Sequence, residues 1–213
     1  MEGCTAYSDG CKNCFSRIEC SHHGYDYKPR LRPDHLPEPL AAKFPRTIFC
    51  CRNGDLFHDI VPNTYLDQVF GVMAQTPQHE YHVYTKRIQR AVAYLLAHPY
   101  PSNVWLGVSF ENQQTCNERL SEIVRLPCRI FGSSSLTLEQ IEVDPIHLSR
   151  LSWLIVAPEY GENVRYCDPA WLDDLEAQCV AVGVQCVREW SIRDIAIQQR
   201  KDAFAYLDTL WGL

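Results

Sequence analysis

From residue 47 onward the chain alternates short apolar runs with segments whose apolar positions recur every three or four residues. The short runs predict strands at "TIFCC" (47–51), "YHVYT" (81–85), "NVWLGVSF" (103–110), "CRIFG" (128–132), "LSWLIVA" (151–157) and "VQCVREW" (184–190). Helices are expected over 63–75, 87–98, 112–126 and 168–183, with a helical pattern again at 194–211. In the first helix Leu66, Val69, Phe70 and Met73 share one face, and Asn63 is the expected N-cap. In the fourth, Asp168 takes the N-cap, Pro169 the first turn and Gly183 the place just past the end. Strict alternation predicts a parallel sheet. Two architectures fit, an open doubly wound sheet and a (β/α) barrel that need not be complete, and both put their site at the carboxyl ends of the strands.

The segment before residue 47 breaks this rhythm. Five prolines (Pro29, Pro33, Pro37, Pro39 and Pro45) rule a long helix out of residues 24–46, and Lys28, Arg30, Arg32, Lys43 and Arg46 are scattered among them. It reads as an irregular excursion within a single domain, joining a cysteine-bearing loop (1–23) to the β/α core (47–190), with the helical tail after it (191–213).

Composition narrows the classes. The chain has 213 residues, 46% hydrophobic and 22% charged, as a globular protein of one sizeable core would. A net charge of -6 gives no general attraction to nucleic acid or anionic membrane, although a local contact stays open. No apolar run approaches the roughly 18–20 residues of a membrane span, and the start lacks the basic-then-apolar pattern of a secretory signal. A cytoplasmic location is therefore expected, where thiols stay reduced. The eleven cysteines are an odd number, which a closed set of intrachain disulfides cannot use up. Neither a G-x-S-x-G elbow nor a G-x-x-x-x-G-K-[ST] loop is present, which argues against common hydrolase and kinase chemistries.

Candidate chemistry concentrates in "GCTAYSDGCKNCFS" (3–16), where Cys4, Cys11 and Cys14 lie among Gly, Ser, Thr, Asp and Asn, residues of a loop. Loop thiolates are free to converge on a metal. Cys50, Cys51, Cys128, Cys179 and Cys186 fall in regular elements and read as core filling. A thioredoxin-type dithiol at Cys11 and Cys14 would want a strand just before it, and none is visible. Zinc would need a fourth ligand, which Cys20, His22 or His23 is near enough to supply. A [4Fe–4S] cluster on three thiolates would leave one iron open to a chelating small molecule. Spacing alone leaves zinc and cluster level.

Seven segments in order carry a resemblance: "GCTAYSDGCKNCFS", "LRPDHLPEPLAAKFPRTIF", "NGDLFHDIVP", "VMAQTPQHEYHVYTKR", "NVWLGVSFENQ", "LSWLIVAPEYG" and "DPAWLDDLEAQC". Through them the chain resembles a family of mostly uncharacterised, phage-associated proteins related to the radical S-adenosylmethionine (SAM) enzymes. The resemblance implies a partial (β/α) barrel of about six parallel strands, with a [4Fe–4S] cluster held by Cys4, Cys11 and Cys14 over its carboxyl-end face. SAM would chelate the fourth iron, and one electron would cleave it reductively to start hydrogen abstraction from substrate. Gly54 and Asp55 match the turn that receives the SAM ammonium. Lys86, with Arg87 beside it, would pair with the SAM carboxylate or a substrate anion. Ser109 and Glu111 would hold the ribose or amine, Glu159 is the corresponding acid on a later strand, and Phe15 would cover the cluster or adenine.

A nucleobase or nucleotide substrate in phage DNA modification and an electron donor such as a flavodoxin or ferredoxin complete the expectation. Departures from the family pattern are the near-absent strand before Cys4, "SSSLTLEQ" (133–140) where relatives carry an acidic-Pro-Leu segment, and Ala157-Pro158 in place of Gly-Gly. The rival is a non-enzymatic zinc-binding interaction module on a relic barrel.

Overall fold

A computed structural model describes residues 1–159 and 164–188. The helical tail expected after residue 190 lies outside these. Six strands form one parallel sheet: β1 (Thr47–Cys50), β2 (Glu80–Thr85), β3 (Val104–Ser109), β4 (Arg129–Ser134), β5 (Trp153–Val156) and β6 (Gln185–Arg188). Their spatial order is their chain order, β1-β2-β3-β4-β5-β6. A doubly wound sheet reverses direction at its midline. No reversal occurs here, so of the two architectures the order is compatible with a partial (β/α) barrel.

The connecting helices are α3 (Asn63–Gln75), α4 (Ile88–Ala97), α5 (Gln113–Ile123) and α7 (Pro169–Val182). Shorter helices are α1 (Phe15–His22), α2 (Glu38–Ala41) and α6 (Pro145–Leu148). α3 begins one residue earlier than expected: Pro62, not Asn63, is its N-cap, and Asn63 is its first helical residue. Proline already holds φ near the helical value and cannot donate, so it can stand there without a capping side chain. At α7 the expected chemistry holds, with the Asp168 carboxylate accepting from Ala170 N–H at 3.0 Å and Gly183 left-handed at φ 74°. α1, directly after Cys14, was hidden by the polar residues around it.

Alternation along the strands divides the sheet into two faces. Tyr81 and Val83 of β2, Leu106 and Val108 of β3, Ile130 of β4, and Leu154 and Val156 of β5 are buried against the helices. Their partners there include Leu66, Phe70 and Met73 of α3, Leu120 of α5 and Leu175 of α7. The opposite face is aromatic. Phe131 stacks on Trp153 at 4.8 Å, Tyr84 meets Phe131 edge-on at 4.8 Å, and Trp105 lies 4.6 Å from Trp153. In this row Gly107 is registered between Tyr84 and Phe131. A Cβ at Gly107 would overlap the Phe131 ring.

The chain's start is tied to the sheet by isolated bridges. Gly3 N–H donates to Asn53 C=O at 2.7 Å and runs parallel to Gly54, while Glu2 bridges antiparallel to Arg30. Glu2 also accepts from both Arg30 and Arg32, which takes two of the excursion's cations out of play for a phosphate.

Gly107→Ala is expected to lower stability by about 1–3 kcal/mol, because the added methyl must displace a fully buried ring. Combining it with Phe131→Leu should recover part of the loss. Urea unfolding measures both, and an unchanged midpoint in the single variant would contradict this packing.

Candidate functional site

In an all-parallel sheet every strand's carboxyl end reaches the same edge. Asp55 follows β1, Lys86 and Arg87 follow β2, Glu111 follows β3, and Glu159 follows β5. Over this edge lies the cysteine loop, with one turn of 3-10 helix at Asp9–Cys11 and Cys14 as the N-cap of α1. Between loop and sheet is a cavity of about 340 Å³. Cys4, Cys11 and Cys14 line it together with Phe15, Gly54, Asp55, Lys86 and Ser109. Glu111 and Glu159 stand behind that lining and hold the loop.

Each acid fastens a different part of the loop. Asp55 Oδ1 accepts from Phe57 N–H (2.9 Å) and Thr85 Oγ1 (2.8 Å), and its Oδ2 from Lys86 N–H (3.3 Å) and Arg87 (3.1 Å). That fills the acceptor sites of the carboxylate. Arg87, held in this way, reaches the first cysteine: its guanidinium lies 3.4 Å from Cys4 Sγ and donates to Thr5 Oγ1 at 3.1 Å. It also stacks over the Tyr7 ring at 4.9 Å.

Glu111, fully buried, accepts from Arg119 at 2.9 Å and from Gly10 N–H at 3.3 Å. Lys86 Nζ stands between its carboxylate, at 3.9 Å, and Cys11 Sγ, at 3.6 Å. Glu159 takes Asn13 Nδ2 at 3.0 Å and the Arg165 backbone N–H at 2.9 Å, and pairs with the Arg165 guanidinium. Arg165 in turn donates to Asp9 C=O at 2.9 Å. For pairs as buried as Arg87–Asp55 and Arg119–Glu111, removing one partner costs about 3–5 kcal/mol, since it strands a charge.

These cations govern the thiols. Burial pushes Cys11 up, but the Lys86 charge and the Tyr7 and Ser8 N–H groups outweigh it and bring the thiol below its ordinary value. At Cys4 burial prevails over Arg87 and the thiol is raised. Cys14 Sγ faces the Tyr27 hydroxyl at 3.7 Å. Burial also opposes ionisation of Glu111, and Lys86 and Arg119 overcome it, so the carboxyl lies below the usual range.

The expected site residues are thus brought to one edge of the sheet, some to the cavity and some to the struts behind it. Cys20, His22 and His23, the expected fourth ligands for zinc, are not on the cavity wall; both histidines are exposed at the far end of α1. Among the described residues, no three of His, Cys, Asp and Glu are grouped as ligands of a single ion. Cys50 and Cys51, read from sequence as core, do pack against the core and also line the cavity. Sequence reasoning missed Arg119, Arg165, Asn13 and Tyr27. Arg119 carried a faint signal, a lone cation beside the apolar series Cys116, Leu120 and Ile123 of α5.

A model of the family described as "protein of unknown function (DUF5131)" matches residues 1–203, so the chain belongs to that family. No curated protein and no solved structure matches it. Among the described residues no helix is long and apolar enough to cross a membrane.

A side chain at Gly10 would force either the loop or its neighbours to shift, since a Cβ would come within 2.5 Å of Leu136 Cδ1, 2.8 Å of Lys86 Nζ and 2.9 Å of Glu111 Cδ. In metal-free Gly10→Ala, Cys11 and Cys14 should alkylate severalfold faster than in the parent; equal labelling rates would contradict the docking.

At Glu159 burial favours the neutral acid, yet the Arg165 and Asn13 donors hold the carboxyl down at about 2 against an ordinary 4.5. A depressed value means stability that is complete above pH 4.5 and lost as pH falls through about 2. The stability gap between the parent and Glu159→Gln should therefore narrow across that window. A gap independent of pH in denaturant titrations would contradict the assignment.

Proposed function

We propose that this chain is a radical SAM enzyme on a partial (β/α) barrel, with Cys4, Cys11 and Cys14 as the protein ligands of a [4Fe–4S] cluster. The observation that carries the reading is the meeting of three loop thiols and two strand-end cations on one cavity. Thiols spread around a cavity of about 340 Å³ suit a body larger than one ion. Zinc ligands, by contrast, crowd to about 2.3 Å from a shared centre. A cytoplasmic location, where thiols stay reduced, suits the same chemistry.

When bound, the cluster supplies the electron for reductive cleavage of SAM, from which hydrogen abstraction starts. The protein's own part is electrostatic and steric. Lys86 favours the thiolate form of Cys11, Arg87 offsets part of the burial that holds the Cys4 thiol up, and both cations offset the negative charge gathered there. Gly54 leaves room for the Met1–Gly3 segment to lie close against the cavity wall, Ser109 offers a hydroxyl to a ribose or amine, and Phe15 covers the loop side. Asp55, Glu111 and Glu159 have their carboxylates engaged by the protein, so they act as positioning residues and not as direct ligands of SAM.

The substrate we place among nucleobases and nucleotides, in the setting of phage DNA modification that the resemblance suggests. Phe49 and Tyr84 bring aromatic rings to the cavity, and Arg17 and Arg52 lie on the same wall, where a phosphate would be met. Electrons would come from a flavodoxin- or ferredoxin-type donor.

Anaerobic reconstitution with iron and sulfide tests the reading. The expected result is a brown protein that cleaves SAM on reduction, loses its colour in Cys11→Ala and keeps it in His23→Ala. A colourless protein holding one zinc, with affinity lost in His23→Ala, would overturn it in favour of the zinc-binding module.

A further inference from the structure

Cys50 and Cys51 are adjacent in sequence, and along a regular strand their side chains would point to opposite faces of the sheet. They do not. β1 ends at Cys50, and Cys51 turns left-handed at φ 60°, the one described non-glycine residue with positive φ. That conformation is uncommon for a residue with a Cβ, and cysteine lacks the short polar side chain that eases it for Asn or Asp. Its consequence is geometric. The two Sγ atoms come to 3.8 Å of each other, both residues line the main cavity, and both are only partly buried. Neither thiol belongs to the trio above.

We propose that Cys50 and Cys51 are a vicinal redox dithiol that closes reversibly to an eight-membered disulfide ring by exchange with a low-molecular-weight disulfide. Either sulfur can donate across this contact; with Cys50 as the donor, Cys51 is drawn down and Cys50 pushed up, and Cys51 serves as the attacking thiolate. Its sulfur bonds to one sulfur of the small disulfide, the S–S bond breaks, and the first small thiolate leaves. The Cys50 sulfur then bonds to Cys51, and the second small thiolate departs. The two cysteine protons end on the two small thiols. The protein pair is oxidised by two electrons and the small disulfide is reduced by two. A dithiol reductant runs the exchange backward. Both residues line the cavity, so the pair couples one wall of the site to the thiol–disulfide balance around it.

The sequence provides an unusually direct readout, because trypsin releases Thr47–Arg52, "TIFCCR", which holds these two cysteines and no other. The full-length protein is exposed to oxidised glutathione, quenched by alkylation and digested. The expected peptide is lighter than the reduced form by two hydrogens, carries no alkyl group, and returns to two alkylated thiols after reduction. In Cys50→Ser the intermediate should be caught as a single glutathione adduct on Cys51. A wild-type peptide with both thiols still alkylatable, or with two separate glutathione adducts, would overturn the proposal. None of these readouts involves iron or SAM, so the inference stands or falls separately from the proposed enzyme activity.

Discussion

Three buried carboxylates at the carboxyl edge of the sheet hold the rest of the site in place. Asp55, Glu111 and Glu159 would each be intolerable there as a lone charge, and each is satisfied by a cation or donor that also touches the cysteine loop. Arg87 carries the Asp55 charge on to Cys4 and Thr5, Gly10 N–H reaches Glu111, and Asn13 reaches Glu159. The loop has little regular structure of its own, only one 3-10 turn before α1. Its conformation is a property of the sheet edge it lies on.

The same arrangement sets the electrostatics. A carboxylate neutralises part of each cation, and the remainder is directed at sulfur: Lys86 stands between Glu111 and Cys11, and Arg87 between Asp55 and Cys4. Phe49 and Tyr84 carry the aromatic face to the cavity as its floor, and behind them Phe131 is accommodated only because Gly107 has no side chain. Between a charged, thiol-bearing roof and that floor lies a cavity of about 340 Å³.

The hydrophobic pattern made the six strands and four connecting helices legible, because burial against one helical layer imposes alternation on strands and a three-to-four period on helices. The thiol trio was visible too, since loops rich in Gly, Ser and Asn cannot be core. What stayed hidden were features decided by tertiary contact. Nothing in the spacing of Arg119 or Arg165 announces a partner eight or six residues back. Asp55, Glu111 and Glu159 stand at strand ends, which the sequence pattern makes legible, but position alone does not reveal which donors meet each oxygen. Cys50 and Cys51 looked like strand interior, and only a left-handed φ at Cys51 separates that from a shared cavity wall.

Mössbauer spectroscopy of the anaerobically reconstituted protein, enriched in the resonant iron isotope, addresses the central claim most directly. If the docked loop presents three thiolates to one cluster, a single iron subsite should change its isomer shift and quadrupole splitting when SAM is added, while the others keep theirs. Spectra that show isolated iron, or a cluster whose subsites all ignore SAM, would mean that these carboxylates hold the loop for some other purpose.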